Sequence, residues 1–208
     1  MKKMSRRKFL SATGSSAVAI YFGISQARGD AHQFGSGTVN QIAAELAKRP
    51  YSPPAPVAEP FNSLGYDQYR DIRYRPEFAY WLGEDRGFTL EFMHAGFIFK
   101  NPVEIHIVED GTPQQIPYST HLFNFGKALN IPPMHGEPLF SGFRLRSRLA
   151  SDALDEFLVF QGASYFRALG AGEHYGASAR GLAIDTGEPS GEEFPFFRSF
   201  WIERPLEI

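Results

Sequence analysis

Phe88-Thr89-Leu90-Glu91-Phe92-Met93 and, a few residues on, Val103-Glu104-Ile105-His106-Ile107-Val108 alternate apolar with polar or charged side chains. That period of two is the mark of a strand with one face buried, and Glu109-Asp110-Gly111 supplies the turn that ends the second run. Phe97-Ile98-Phe99, Gln115-Ile116-Pro117-Tyr118 and Phe143-Arg144-Leu145-Arg146 read as further strands. Phe157-Leu158-Val159-Phe160 is apolar on both faces and belongs in the middle of a sheet. Tyr165 to Leu169, Leu182 to Asp185 and Phe196 to Ile202 bring the set to about nine strands. Turn residues separate them, and no helix-period run longer than about three turns interrupts, so the pattern predicts an all-β, antiparallel sandwich or barrel.

Upstream of the strands the period changes. Thr38-Val39-Asn40-Gln41 has the spacing of a capping box, with Thr38 as N-cap, and the helix it starts should stop before Pro50. Pro50, Pro53, Pro54, Pro56 and Pro60 make a stiff extended linker. Tyr66 to Arg73 reads as a second short helical stretch. Phe200-Trp201-Ile202 ends a strand close to Ile208, which leaves exposed sheet edges or a missing second half as the expectation.

Residues 1–31 read as an export signal. Lys2, Lys3, Arg6, Arg7 and Lys8 carry no compensating acid, and an uncharged stretch from Phe9 to Ala27 follows. Ser5-Arg6-Arg7-Lys8-Phe9-Leu10 fits the twin-arginine pattern, and the apolar stretch is too short and too rich in Gly, Ser and Thr to span a bilayer. Cleavage after Ala27 would leave 16 Lys and Arg against 23 acids, a net charge of −7. The mature chain is therefore a poor partner for nucleic acid or an anionic membrane. Absence of Cys removes disulfides, thiolate nucleophiles and Cys-based metal sites.

The six His, at 32, 94, 106, 121, 135 and 174, lie at no ligand spacing, and His106 reads as a satisfied sheet histidine. No metal or cofactor is expected. Ser164, in Gly162-Ala163-Ser164-Tyr165, lacks the second Gly of a nucleophile elbow and reads as a turn residue. Gly170-Ala171-Gly172-Glu173-His174-Tyr175 fails as a dinucleotide fingerprint and reads as a hairpin loop. The acidic clusters Glu192-Glu193, Asp152 with Asp155 and Glu156, and Glu109-Asp110 adjoin Gly, Ser or Pro and read as solvated turns. A saccharide site needs flat rings and forked donors. Tyr165, Arg167, Tyr175 and Arg180 fall within sixteen residues, and Asp185 follows Arg180 at a strand end, where the two could pair. These five are the candidate substrate-binding residues; core and cross-strand packing is the competing reading for the rings.

A longer pattern runs through the same region. Asp155-Glu156-Phe157-Leu158-Val159-Phe160-Gln161-Gly162-Ala163-Ser164-Tyr165-Phe166-Arg167-Ala168 continues into Tyr175-Gly176-Ala177-Ser178-Ala179-Arg180-Gly181-Leu182-Ala183-Ile184-Asp185-Thr186, then Pro189 to Pro195 and Phe200-Trp201. With Tyr66-Asp67-Gln68-Tyr69-Arg70-Asp71-Ile72-Arg73, Phe92-Met93-His94-Ala95-Gly96-Phe97 and Gly142-Phe143-Arg144, this resembles the periplasmic glucans biosynthesis family OpgG/OpgD (MdoG/MdoD). The likeness runs from about Phe34 to Pro205; the signal is similar to the D type and the body at least as close to the G type.

The resemblance implies a periplasmic protein of osmoregulated glucan biosynthesis, whose product has a β-1,2-linked glucose backbone. It also implies a sandwich of the galactose mutarotase type over residues 61–208, after a helix and linker at 32–60. On that resemblance, the family's C-terminal immunoglobulin-like domain is expected to be absent from these 208 residues and the sandwich incomplete at its C-terminus. D-type members are similar to inverting β-1,2-glucan hydrolases, which need an acid and a base on opposite sides of the scissile bond. The family's catalytic carboxylates are expected beyond residue 208, so no residue here inherits a catalytic role, and the isolated chain is expected to be inactive and marginally soluble. The partner is a β-glucan chain. The rival readings are a stand-alone glucan-binding module and a structural subunit, in a homodimer or paired with a full-length homologue.

Overall fold

In the computed structural model, residues 33–127, 129–137, 139–149, 152–170, 172–173 and 178–207 are described. Residues 1–31, read above as an export signal, and Tyr175 lie outside them.

Helix α1 (Thr38–Ala47) ends where Pro50 forbids continuation. Its N-cap is Gly37, not Thr38, and no side chain caps it; Thr38 Oγ1 instead accepts from the Gly35 amide at 3.0 Å, one turn too early to serve the helix. None of its residues is buried. The proline segment that follows is tied down twice: the Ser52 carbonyl accepts from Arg198 Nη1 at 3.0 Å, and Val57 is buried, its amide donating to the Lys100 carbonyl at 2.8 Å. Helix α2 (Tyr66–Arg70) begins at Gly65, whose amide donates to the Gln68 side chain at 3.0 Å.

Ten strands follow among the described residues: β1 (Arg73–Tyr74), β2 (Thr89–His94), β3 (Glu104–Glu109), β4 (Thr112–Gln115), β5 (Phe123–Asn124), β6 (Phe140–Ser147), β7 (Asp155–Gln161), β8 (Tyr165–Ala168), β9 (Ser178–Arg180) and β10 (Ser199–Glu203). They form a five-stranded antiparallel sheet, β2-β6-β7-β8-β9, a three-stranded sheet, β10-β3-β4, and the pair β1-β5. The doubly apolar β7 is the middle strand of the larger sheet, as its composition requires.

The alternating pattern separates the two faces of that sheet. Leu90 pairs with Leu145, Phe92 with Phe143, and Phe160 with both Phe143 and Phe166. This apolar face packs on the smaller sheet, with the Phe143 ring 5.0 Å from Phe200 and Phe160 5.9 Å from Phe197. Leu90, Ile105, Phe92 and Phe140 are at most 1% exposed. Each such side chain contributes about 1.5–3 kcal/mol by leaving water. One buried cluster joins these residues with Tyr74, Tyr118 and Phe123.

Four expectations need correction. The strand read at 115–118 lies earlier, at Thr112–Gln115, and Ile116 to Tyr118 follow it outside any strand. Phe97-Ile98-Phe99 is a tight turn closed by the Gly96–Phe99 bridge, because Gly96 and Phe97 both take positive φ. The strand expected at 182–185 lies earlier, at Ser178–Arg180, while Ile184 only bridges to Glu193. And β10 runs parallel to β3, Phe200 opposite Ile105. The chain between the two, residues 110–198, passes through the larger sheet before returning as β10, which supplies the crossover that a parallel pair requires.

Candidate functional site

The other face of the five-stranded sheet is polar. Cross-strand partners share a face, so Glu91 with Arg144, Val159 with Arg144 and Arg167, and Tyr165 with Arg180 all point away from the core. Bulges adjust this alternation. Between Leu145 and Arg146 the register skips Phe157, which turns toward Phe88 and leaves Glu156 opposite Arg146. Between Met93 and His94 it skips Ser141, whose hydroxyl is buried beneath the sheet.

Charges alternate across the polar face. The Glu91 side chain is 4% exposed and sits between Arg144 (Nη2–Oε2 2.6 Å, Nε–Oε2 2.7 Å) and Arg146 (Nε–Oε1 3.3 Å). Glu156, with 16% of its side chain exposed, lies between Arg144 (3.4 Å) and Arg167 (2.8 Å). Arg144 is thereby held from both sides by Glu91 and Glu156, Arg167 donates through Nη2 to Glu156, and Arg146 donates through Nη1 to the Leu154 carbonyl at 3.1 Å; such anchoring reduces the entropy lost when a guanidinium meets a ligand.

A cleft of about 480 Å³ opens on this face between β7, β8 and β9 on one side and Ile98 to Asn101 with Phe196 and Phe197 on the other. Tyr165, Arg167 and Arg180 line it, together with Glu156 and Gln161. Arg180 stacks over the Phe194 ring at 3.9 Å and donates to the Ala163 carbonyl. Ser164 takes positive φ and donates to the Leu182 carbonyl at 2.6 Å, so it is the turn residue that the missing elbow glycine implies.

Gln161 joins the cleft floor to a buried hydrogen-bond network. Its Nε2 donates to Tyr69 OH and to Ser141 Oγ, both at 2.8 Å, and each hydroxyl donates onward to the His94 carbonyl at 2.8 Å. The His94 ring is held on both sides. Nδ1 faces the Ala95 carbonyl at 2.5 Å and must carry the proton, so Nε2 accepts from Tyr118 OH at 2.8 Å. Burial pushes His94 down to about 4 against the pull of the Ala95 carbonyl, and pushes Tyr69 up to about 12. Burial also raises Tyr118. The imidazole is neutral at physiological pH and has no vacant nitrogen, so it works as a structural part.

Of the five candidate residues, the fold brings three together: Tyr165, Arg167 and Arg180. Asp185 is exposed on a left-handed turn away from the cleft, and among the described residues no ion pair joins it to Arg180. Tyr175 lies outside the described residues. Glu156 is not the solvated turn residue that its acidic neighbours imply, because the bulge in β7 carries it onto the polar face. His106 stacks on Trp201 at 5.1 Å as a packed sheet residue, but its Nδ1 has no hydrogen-bond partner. Sequence reasoning also missed Glu91, Arg144 and Gln161. Phe143-Arg144-Leu145-Arg146 carried the signal, since alternation puts both arginines on one face.

Among the described residues no cluster of three or more His, Asp or Glu could hold a metal ion, and no helix is long and apolar enough to cross a membrane.

Residues 34–207 match the family described as periplasmic glucan biosynthesis protein, MdoG. A glucans biosynthesis protein G of Rhodopseudomonas palustris is 46% identical over 180 residues, which cover 86% of this chain and 36% of that protein. The protein G of Bradyrhizobium diazoefficiens is 42% identical over 206 residues, 97% of this chain and 41% of the relative. That of Vibrio cholerae is 44% identical over 177 residues, 83% and 32%. The chain thus spans about a third to two fifths of the length of these curated relatives. The agreement takes in the strands that build the polar face, and on it the chain belongs to the MdoG (OpgG) family of periplasmic glucan biosynthesis proteins.

Proposed function

We propose that this chain binds a β-linked glucan, with a β-1,2-glucose backbone, along the polar face of its five-stranded sheet, as part of periplasmic glucan biosynthesis. The observation that carries the reading is the cleft in which Tyr165, Arg167 and Arg180 converge with Gln161. A sugar ring offers an apolar CH face to the Tyr165 ring and hydroxyls to the guanidinium forks. The role is binding, because the two glutamates of this face, Glu91 and Glu156, are each engaged by two arginines and hold the site's geometry. The larger sheet packed on the smaller is compatible with a mutarotase-type sandwich, and residues 1–31 would deliver the chain by twin-arginine export.

Calorimetric titration of the full chain with a neutral β-1,2-gluco-oligosaccharide tests the reading. Binding that weakens about tenfold or more in Tyr165→Ala and Arg180→Ala supports it, the size expected for one stacking ring or one charge-assisted hydrogen bond. No binding, or binding indifferent to both substitutions, refutes it and favours a structural subunit.

A further inference from the structure

The polar face continues past the glucan cleft into a second and larger opening of about 720 Å³ at the β2 side of the sheet. Met93 borders both clefts, and Arg144, on the wall of the second, reaches Glu156 in the first. The charged part of its wall is almost all arginine, set beside aromatic and aliphatic side chains such as Tyr69 and Phe92. Arg70, Arg73, Arg75, Arg144 and Arg146 line it, with Asn124, and Glu77 is the one carboxylate among the lining residues.

These cations differ in what already engages them. Arg144 and Arg146 are tied to Glu91, and Arg70 lies 3.5 Å from Asp67. Arg73 and Arg75 have no carboxylate partner among the described residues. Period-two geometry explains their orientation. Tyr74, between them, is buried and edge-on to Phe92 and Phe123, so its two neighbours must project the opposite way, into the cleft. Asn124, paired with Arg73 across the β1-β5 ladder, accepts from the Gly126 amide through Oδ1 and keeps its amide donors for a ligand. The cleft therefore presents donors and positive charge in a chain whose formal net charge is −2.

From this the geometry points to an anion site: the cleft receives a phosphate or carboxylate group carried on the saccharide chain that lies across the same face. The inference rests on the glucan reading above. A bare oxyanion would leave most of this volume empty, whereas clefts of 300–1,000 Å³ enclose ligands of several sugar-sized pieces. Two unengaged guanidinium forks suit the planar, bidentate geometry of a carboxylate or phosphate.

The test compares three probes on the full chain: a neutral β-1,2-gluco-oligosaccharide, the same oligosaccharide phosphorylated on a primary hydroxyl, and glucose 6-phosphate. The phosphorylated chain should bind about tenfold or more tighter than the neutral one, as charge-assisted hydrogen bonds allow. That advantage should fall below about twofold in R73Q/R75Q and shrink in high salt. Affinity for the neutral chain should not change. Equal affinity for the two chains in the unaltered protein, or an advantage retained in R73Q/R75Q, overturns the inference. Arg73→Gln alone, at an exposed position, serves if the double variant is unstable. Should neither oligosaccharide bind, the glucan reading itself fails. Glucose 6-phosphate then decides the anion site: binding lost in R73Q/R75Q upholds it, and no binding removes it.

Discussion

Acidification from pH 7 toward pH 5 should weaken this fold through the buried side chain of His94. The ring lies among Phe61, Tyr118, Phe123 and Phe125, with centroids 4.5–5.5 Å away, and both its nitrogens are engaged. Protonating Nε2 would set a second N–H against the Tyr118 hydroxyl and place a charge among aromatic rings. Burial therefore holds the folded-state value near 4, against 6.5 for a free histidine. The unfolded chain takes up the proton first, so the stability from a neutral His94 is complete above about pH 6.5 and is lost as pH falls toward 4. At 1.36 kcal/mol per unit, the full span is worth about 3 kcal/mol, of which about 2 kcal/mol is gone by pH 5. Urea unfolding followed by tryptophan fluorescence at pH 7, 6, 5.5 and 5 measures this above the range where most carboxylates titrate. His94→Gln, which keeps one donor and one acceptor, should abolish that part of the slope while lowering stability at pH 7. A wild-type slope identical to that of His94→Gln, or an imidazole resonance of His94 that titrates above pH 6, would refute the reasoning.

Other perturbations follow from the same geometry. Glu91→Gln should destabilise by about 2–3 kcal/mol in urea unfolding, less than a fully buried pair would lose, because Arg144 keeps Glu156 and both arginines are about a quarter exposed. A change under about 0.5 kcal/mol would mean the ladder does no structural work. Gly142→Ala should cost about 3 kcal/mol or more, since a Cβ there would overlap the Phe160 carbonyl oxygen of the neighbouring strand. Soluble, normally melting protein from that variant would contradict the close strand approach. Gln161→Leu removes the donor shared by Tyr69 and Ser141 and should cost about 1–2 kcal/mol, checked by thermal unfolding. Replacing Arg6 and Arg7 by Lys should stop export of a reporter fused to residues 1–31; continued export would argue against the twin-arginine route.

What the chain's own letters disclose is uneven, for physical reasons. Strands β2, β3, β6, β7 and β8 were legible because each alternates, or is doubly apolar, over at least four residues. Strand β10 was legible but its direction was not: parallel and antiparallel pairing use the same alternation, and the choice depends on the crossover. At the site, Tyr165, Arg167 and Arg180 could be picked from chemistry and proximity. Glu156 could not, since an acid beside Asp155 looks solvated until a bulge at Phe157 sets which face it takes. His94 reads as an isolated histidine in sequence, and its partners Tyr69, Tyr118 and Ser141 come from three separated segments. Asp185 shows the opposite failure, where nearness to Arg180 along the chain did not become a pair, because Arg180 finds the Phe194 ring and the Ala163 carbonyl instead.

The most direct measurement of where this chain meets its ligand is an amide chemical-shift map during titration with a neutral β-1,2-gluco-oligosaccharide. A glucan in the cleft should give saturable shifts at Gln161 to Arg167 and Ser178 to Arg180, fading across β2. Shifts confined to β10, β3 and β4, or none at all, would contradict a glucan site on the polar face of the larger sheet.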